Sequence, residues 1–264
     1  MTRVDWEYVL NEAADIVESY RSVVTLRQLF YRLVSRELLE NTQSMYNSLS
    51  SRSAKARRQG WFPDLFDAVR VIDRAMTWDG AEEAQEWIRT HYRRDRTEGQ
   101  DYSIYVAVEK DALARLLFEW FGDNGIPILV LRGYSSQSYC DQIKLDVEKQ
   151  DRPAVLIYAG DFDPSGEDIY RDFLQRTDCW YAPTRIALNP AQIEEYNLPP
   201  LPGKAKDSRA AGFVRRHGAL MQVELDALEP SVLHDLYTDE VFSWWSEKEA
   251  RLTAQREAED RSKL

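Results

Sequence analysis

The sequence predicts an α/β fold with a small helical region in front of it. Three observations carry this. From Tyr102 onward, short apolar runs alternate with amphipathic segments, the pattern of parallel β-α-β units. Before residue 60 the apolar residues recur instead at helical spacing. The chain has 264 residues, 44% hydrophobic and 30% charged, enough for a core in one large or two small domains. The expected organisation is a helical domain over 1–75, a connector over 76–101 and an α/β domain with a C-terminal extension over 102–264.

Residues 4–20 read as an amphipathic helix, with Val4, Tyr8, Ala13, Ile16, Val17 and Tyr20 near a helical repeat. Thr25 is placed to N-cap a second helix, whose apolar face is Leu26, Leu29, Phe30, Leu33 and Val34. After a polar turn at Glu40–Ser44, a third helix is expected from about Met45 to Gln59, ended by Gly60. It carries Arg52, Lys55, Arg57 and Arg58 among serines. Three short helices with a basic third one suggest a helix-turn-helix or winged-helix module that contacts DNA. A charge run on a helix is equally the mark of a solvated face.

The connector is highly charged, with one helical stretch. Beyond it, SIYVAVE reads as a buried strand and KDALARLLFEWFGDNG as a helix with a glycine stop. IPILVLRG and SSQSYCDQIKLDVEKQD repeat the unit, as do PAVLIYAGDFD and PSGEDIYRDFLQRT. Residues 183–235 are mixed, with a Pro-rich turn at 198–203. From Phe242 a charged helix anchored by Trp244 and Trp245 is expected.

The net charge of −11 argues against broad coating of nucleic acid. Residues 1–60 nevertheless hold nine Lys/Arg against seven Asp/Glu, out of 34 and 45 in the chain. A phosphate-binding surface is therefore expected near the N-terminus. No run approaches the ~18 apolar residues of a membrane span, and the acidic, amphipathic N-terminus does not read as a signal peptide. Cys140 and Cys179 lack metal-site spacing. Free thiols in a reducing cytoplasm are the expectation.

Glu109 ends the first strand, and Asp161 and Asp163 end the third. Sheets of this class open their crevices at the carboxyl ends of strands. Three carboxylates grouped there repel one another, and a divalent cation resolves the conflict. Oxygen ligands suit Mg²⁺, which takes one or two carboxylates and completes its shell with water and substrate phosphate. Two such ions about 4 Å apart clamp the oxygens of a phosphoryl transfer. Gly160 and Gly166 flank the acids, and Gly133 precedes a Ser-rich loop (134–138) whose amides are placed to face a phosphate. A lone strand-end aspartate is also a common helix N-cap, a role open to Asp163.

These elements resemble a family. GDFDPSGEDI resembles the Asp-x-Asp-Pro-x-Gly signature of the Toprim domain in the topoisomerase VI A subunit and its meiotic double-strand-break relative. VAVEKDALARLL resembles their strand-Glu-Lys-helix element, RGYSS their Gly-rich turn, and RIALNPAQIEEYNL the segment that follows. TLRQLFYRL resembles the winged-helix context Arg-[Asp/Glu]-Ile-[Phe/Tyr]-Tyr around their nucleophilic tyrosine, with Arg27, Phe30 and Tyr31 in matching places. Gln28 stands where that group often has an acid. The compact length is most similar to the Mini-A proteins of prokaryotic mobile elements and phages. The resemblance implies Mg²⁺ held by Glu109, Asp161 and Asp163, Tyr31 as nucleophile, double-stranded DNA as substrate and a homodimer with composite sites. A separate ATPase subunit is a further implied partner.

Tyr31 lies about 100° round from Phe30 on the helix, at the edge of the apolar face, where its hydroxyl is expected to reach outward. A phenol ionises near pH 10, so attack needs basic or metal neighbours; Arg27, four residues earlier, is one. The same position suits an ordinary boundary tyrosine. Lys110 is placed to touch substrate phosphate or to sit exposed at a helix start. Lys206 and Arg209 are spaced to grip DNA backbone or to pair with nearby carboxylates. Glu224 and Asp226 share one face if they lie on a strand and would then supplement the metal shell, Asp226 otherwise capping a turn. His91, His217 and His234 are dispersed. The expected activity is Mg²⁺-dependent DNA cleavage by tyrosine transesterification. The alternatives are a hydrolytic Toprim nuclease of a mobile element or defence system, and a non-catalytic DNA-binding subunit.

Overall fold

The computed structural model describes residues 4–20, 24–66, 75–202 and 207–264. Helix α1 (Trp6–Ser19) is capped by Asp5. Helix α2 (Leu26–Ser35) opens with a capping box: Gln28 N donates to Thr25 Oγ1, and Gln28 Oε1 accepts from Thr25 N. This gives the buried Gln28 a structural role of its own. Helix α3 (Gln43–Arg58) starts two residues before the expected Met45, because Thr42 takes the cap. It ends as expected at Gly60, whose φ of +81° suits glycine. Val9, Ala13, Ile16, Leu29, Leu33 and Leu49 form the centre of this helical region. Thr25 and Phe66 form an isolated parallel bridge. Among the described residues there is no β-hairpin wing after α3, so three helices are what the region shares with a winged-helix module.

Helix α4 (Ala81–His91) is largely exposed. The rest of the expected connector is bound to the far end of the chain, as Arg94 and Arg96 pair with Asp260 and Glu257.

The α/β part alternates as the sequence predicts: β1 (Ser103–Val108), α5 (Asp111–Phe121), β2 (Ile128–Val130), α6 (Gln137–Lys149), β3 (Ala154–Ala159) and α7 (Pro164–Thr177). The edge strand β4 (Ala182–Ala187) follows, which the sequence left as mixed structure. The sheet order is β2-β1-β3-β4, all parallel. Strands β1 and β3 are buried on both sides, which explains their continuous apolar runs. Ile104, Val106 and Val108 face α5 and α10, in a core continuous with that of the helical region. Tyr105 and Ala107 face α6 and α7.

After β4 come α8 (Pro190–Glu195), the short pair β5 (Leu201–Pro202) and β6 (Met221–Gln222), and α9 (Ala210–His217) between them. A 3-10 turn (Leu225–Ala227) leads into α10 (Pro230–Trp244) and α11 (Glu247–Arg261). The single helix expected from Phe242 is therefore broken. Ser246 caps α11, its Oγ accepting from Glu249 N. Cys140 and Cys179 are free thiols. No helix among the described residues is long and apolar enough to cross a membrane.

Candidate carboxylate site

The chain runs from β1 to β2 on one side, then returns through α6 to β3 on the other side of β1. The order therefore reverses between β1 and β3, and a crevice opens at such a switch point beyond the carboxyl ends. Val108 and Ala159 are register partners there. Glu109 and Asp161 follow them within two residues, so the pairing itself brings the two acids together. Glu109 Oε2 accepts from Asp161 N at 3.0 Å. Asp161 is 7% exposed, and its Oδ1 accepts from Leu225 N at 2.7 Å.

Gly166 explains how α7 begins so close. A Cβ at this position would collide with the Asp161 carbonyl oxygen and lie 3.1 Å from Glu109 Oε2. Only glycine leaves that space. Asp163 caps α7, its Oδ1 accepting from Gly166 N at 2.6 Å. The helix-cap role open to it in the sequence is thus occupied, through one of its two oxygens.

A second acidic pair faces the first. Lys110 Nζ lies 3.0 Å from Asp161 Oδ1, 2.5 Å from Glu224 Oε2 and 3.2 Å from Asp226 Oδ2. Arg27, from α2, reaches the same two acids, with Nη2 2.6 Å from Glu224 Oε2 and Nε 3.0 Å from Asp226 Oδ2. Asp226 does not act as a turn cap here; its carboxylate is an ion-pair partner. Lys110 is turned inward among the acids, which corrects the reading of it as an exposed helix-start lysine.

The charges set the protonation. Burial and the Asp161 charge push Glu109 up to about 7, against the hydrogen bond from Asp161 N and the Lys110 charge. Burial also raises Asp161, against Lys110. Glu224 goes the other way: burial opposes its charge, but Lys110 and Arg27 together hold it below the usual range. For Lys110, the three acids outweigh burial and raise the ammonium.

Tyr31 corrects the sequence reading. It is 6% exposed and belongs to the core, with its edge against Phe30. The helical wheel put it at an edge, but the turn bearing Glu224 and Asp226, almost 200 residues later, covers that edge. Burial and Glu224 raise its hydroxyl above 10, while Arg27 and Lys110 lower it. Arg27 lies 5.8 Å from its ring centre. Tyr31 and Arg27 thus belong to the same electrostatic cluster as Lys110, within one chain.

Neither a scan against protein-family models nor a search of curated proteins finds a match for this chain.

Among the described residues, no three His, Cys, Asp or Glu side chains form a ready-made metal cage. Glu109 is nevertheless a partly buried carboxylate with no ion-pair partner among the described residues, held beside Asp161. These two oxygen donors fit a Mg²⁺ ion that fills the rest of its shell with water. Asp163 is not gathered with them into a three-carboxylate group, and its Oδ1 is engaged in the α7 cap.

The basic candidates separate in space. Arg52 and Lys55 share an open polar face of α3 with Ser44, Asn47, Ser48 and Ser51. Arg52 also stacks 4.7 Å over Trp6. Arg58 is exposed near the end of α3, whereas Arg57 is half-buried. Arg209 is far along the chain, paired with Asp207, and Lys206 lies outside the described residues. In the Ser-rich loop, Ser136 caps α6, its Oγ accepting from Tyr139 N. A cleft between α7 and α9, lined by Arg171, Arg185, Arg209, Arg215 and Arg216, was not anticipated. Its one signal in the sequence was the Arg215-Arg216-His217 run.

Proposed function

We propose that the chain is a Mg²⁺-dependent DNA-cleaving enzyme acting by tyrosine transesterification. The observation that carries this reading is the unpaired Glu109 carboxylate beside Asp161 at the switch point of the sheet. Excess negative charge there favours a cation, and Gly166 keeps the space beside it open. The bound Mg²⁺ would stabilise charge on the phosphate and on the leaving oxygen. Glu109 and Asp161 would hold it.

The proximity of Tyr31 to Lys110 and Arg27 supports its role as nucleophile. Its oxygen forms the new bond to phosphorus as the bond to the leaving sugar oxygen breaks. The leaving oxygen takes up a proton equivalent to the one the phenol gives up, and a phosphotyrosyl link remains. The polar face of α3 with Arg52 and Lys55 supports duplex contact. Two copies of the chain would cut both strands.

A second reading, a hydrolytic nuclease with Tyr31 as a structural residue, is favoured by the burial of Tyr31 and its raised pKa. One assay separates the two. Supercoiled plasmid is incubated with protein and Mg²⁺, quenched with detergent, and run with and without protease. Protein-linked ends, lost in Tyr31→Phe, are the expected result. Free ends that persist in Tyr31→Phe but vanish in Asp161→Asn would establish the hydrolase. Mixed dimers of Tyr31→Phe and Asp161→Asn chains test where each site is built. Because α2 lies against its own chain's acids, such mixtures should stay inactive; recovered nicking would show sites shared between copies.

A further inference from the structure

The cleft between α7 and α9 is a concentration of positive charge in an acidic chain. It has a volume of about 550 Å³. Five guanidinium groups border it, against Glu167 and Asp168 in its lining and Asp207 behind Arg209. Arg216 pairs with Glu167, and Arg171 with Asp168. Arg215 is exposed and has no ion-pair partner among the described residues.

The cleft is joined to the carboxylate site. Arg185 donates to the main-chain oxygens of Gly160, at 3.2 Å, and Asp161, at 2.7 Å. One side chain therefore spans from the cleft to the backbone of the acidic loop. On the α9 side, Gly212 presents no side chain to the opening. The aromatic ring nearest the cleft, Tyr170, is already stacked on Tyr158 at 4.7 Å, which leaves that ring face unavailable to a base. What the cleft offers is charge in fixed planar donors, suited to phosphate oxygens and indifferent to base identity.

We infer that this cleft holds backbone phosphates of the nucleic-acid strand as it leaves the carboxylate site. The inference rests on the DNA-cleavage reading but is tested by binding alone. Fluorescence anisotropy is measured in EDTA with a labelled duplex of about 20 base pairs, over a range of salt concentrations. The Arg171→Gln/Arg215→Gln double variant should bind about tenfold more weakly, with the slope of log K against log salt reduced by about 1.8. Arg215→Glu, a single change at an exposed site, should weaken binding in the same direction and guards against a folding defect in the double variant. Unchanged affinity and slope in both variants would overturn the inference. Complete displacement of the duplex by millimolar inorganic phosphate at constant ionic strength would also overturn it, because the ligand would then be a small anion. Failure of the cleavage reading would appear separately, as wild-type protein that binds duplex in EDTA but leaves plasmid intact in Mg²⁺.

Discussion

The two acidic pairs near the mouth of the sheet are chemically alike and electrostatically opposite. Glu224 and Asp226 share two cations, Lys110 and Arg27, and Glu224 is held in its charged form. Of Glu109 and Asp161, only Asp161 is paired, with Lys110, and the pKa of Glu109 is pushed up to about 7. The difference is one guanidinium, delivered by α2. It teaches that one pair is committed to fastening the helical region, while the other is left without a second cation.

The largest test removes the function of the Glu109–Asp161 pair. Asp161→Asn should lower Mg²⁺-dependent cleavage by roughly a thousandfold, measured on plasmid, while duplex binding in EDTA stays within about twofold. Cleavage at the wild-type rate would dissolve the contrast between the pairs.

Next in size is the fastening itself. Arg27→Ala leaves Glu224 and Asp226 with Lys110 alone. The side chain of Arg27 is about half exposed, so the loss is smaller than for a fully buried pair, about 1–2 kcal/mol by urea denaturation. Tyr31 should become more accessible at the same time, read as faster tyrosine nitration. Unchanged stability would mean that the pairs do not hold α2.

The smallest effect sharpens the comparison through pH. The folded-state pKa of Glu109 is raised, so it favours folding below its unfolded value near 4.5, and that contribution is lost as pH rises through about 7. Glu109→Gln should therefore be modestly more stable than the wild type at pH 8. The advantage should shrink on acidification and vanish below pH 4.5. Added Mg²⁺ should raise the melting temperature of the wild type at pH 8 and leave that of Glu109→Gln nearly unchanged. An equal Mg²⁺ response in both would place the ion elsewhere.

What was readable in the sequence followed burial and chain neighbourhood. Strands β1 and β3 are central and covered on both faces, so their apolar runs stood out, and Glu109 and Asp161 were found by position at their ends. Thr25 and Gly60 marked helix ends because capping is local. Strand β4 was missed because it is a half-exposed edge with a proline at 183. The true surroundings of Tyr31 and Lys110 depend on a turn more than a hundred residues later, and helical periodicity carries no information about such a partner. The arginine cleft likewise exists only once α7 and α9 meet.

Lys110 has one more consequence. Its ammonium sits between the two pairs, within reach of three carboxylates at once. A cation arriving at Asp161 repels it, yet Glu224 and Asp226 remain beside it to receive the displaced charge. Were the proposed cation to bind, the lysine would act as a resident placeholder, holding the Asp161 carboxylate aimed at little reorganisation cost. Replaced by methionine, the same position would have to rebuild its charge balance each time an ion came or went.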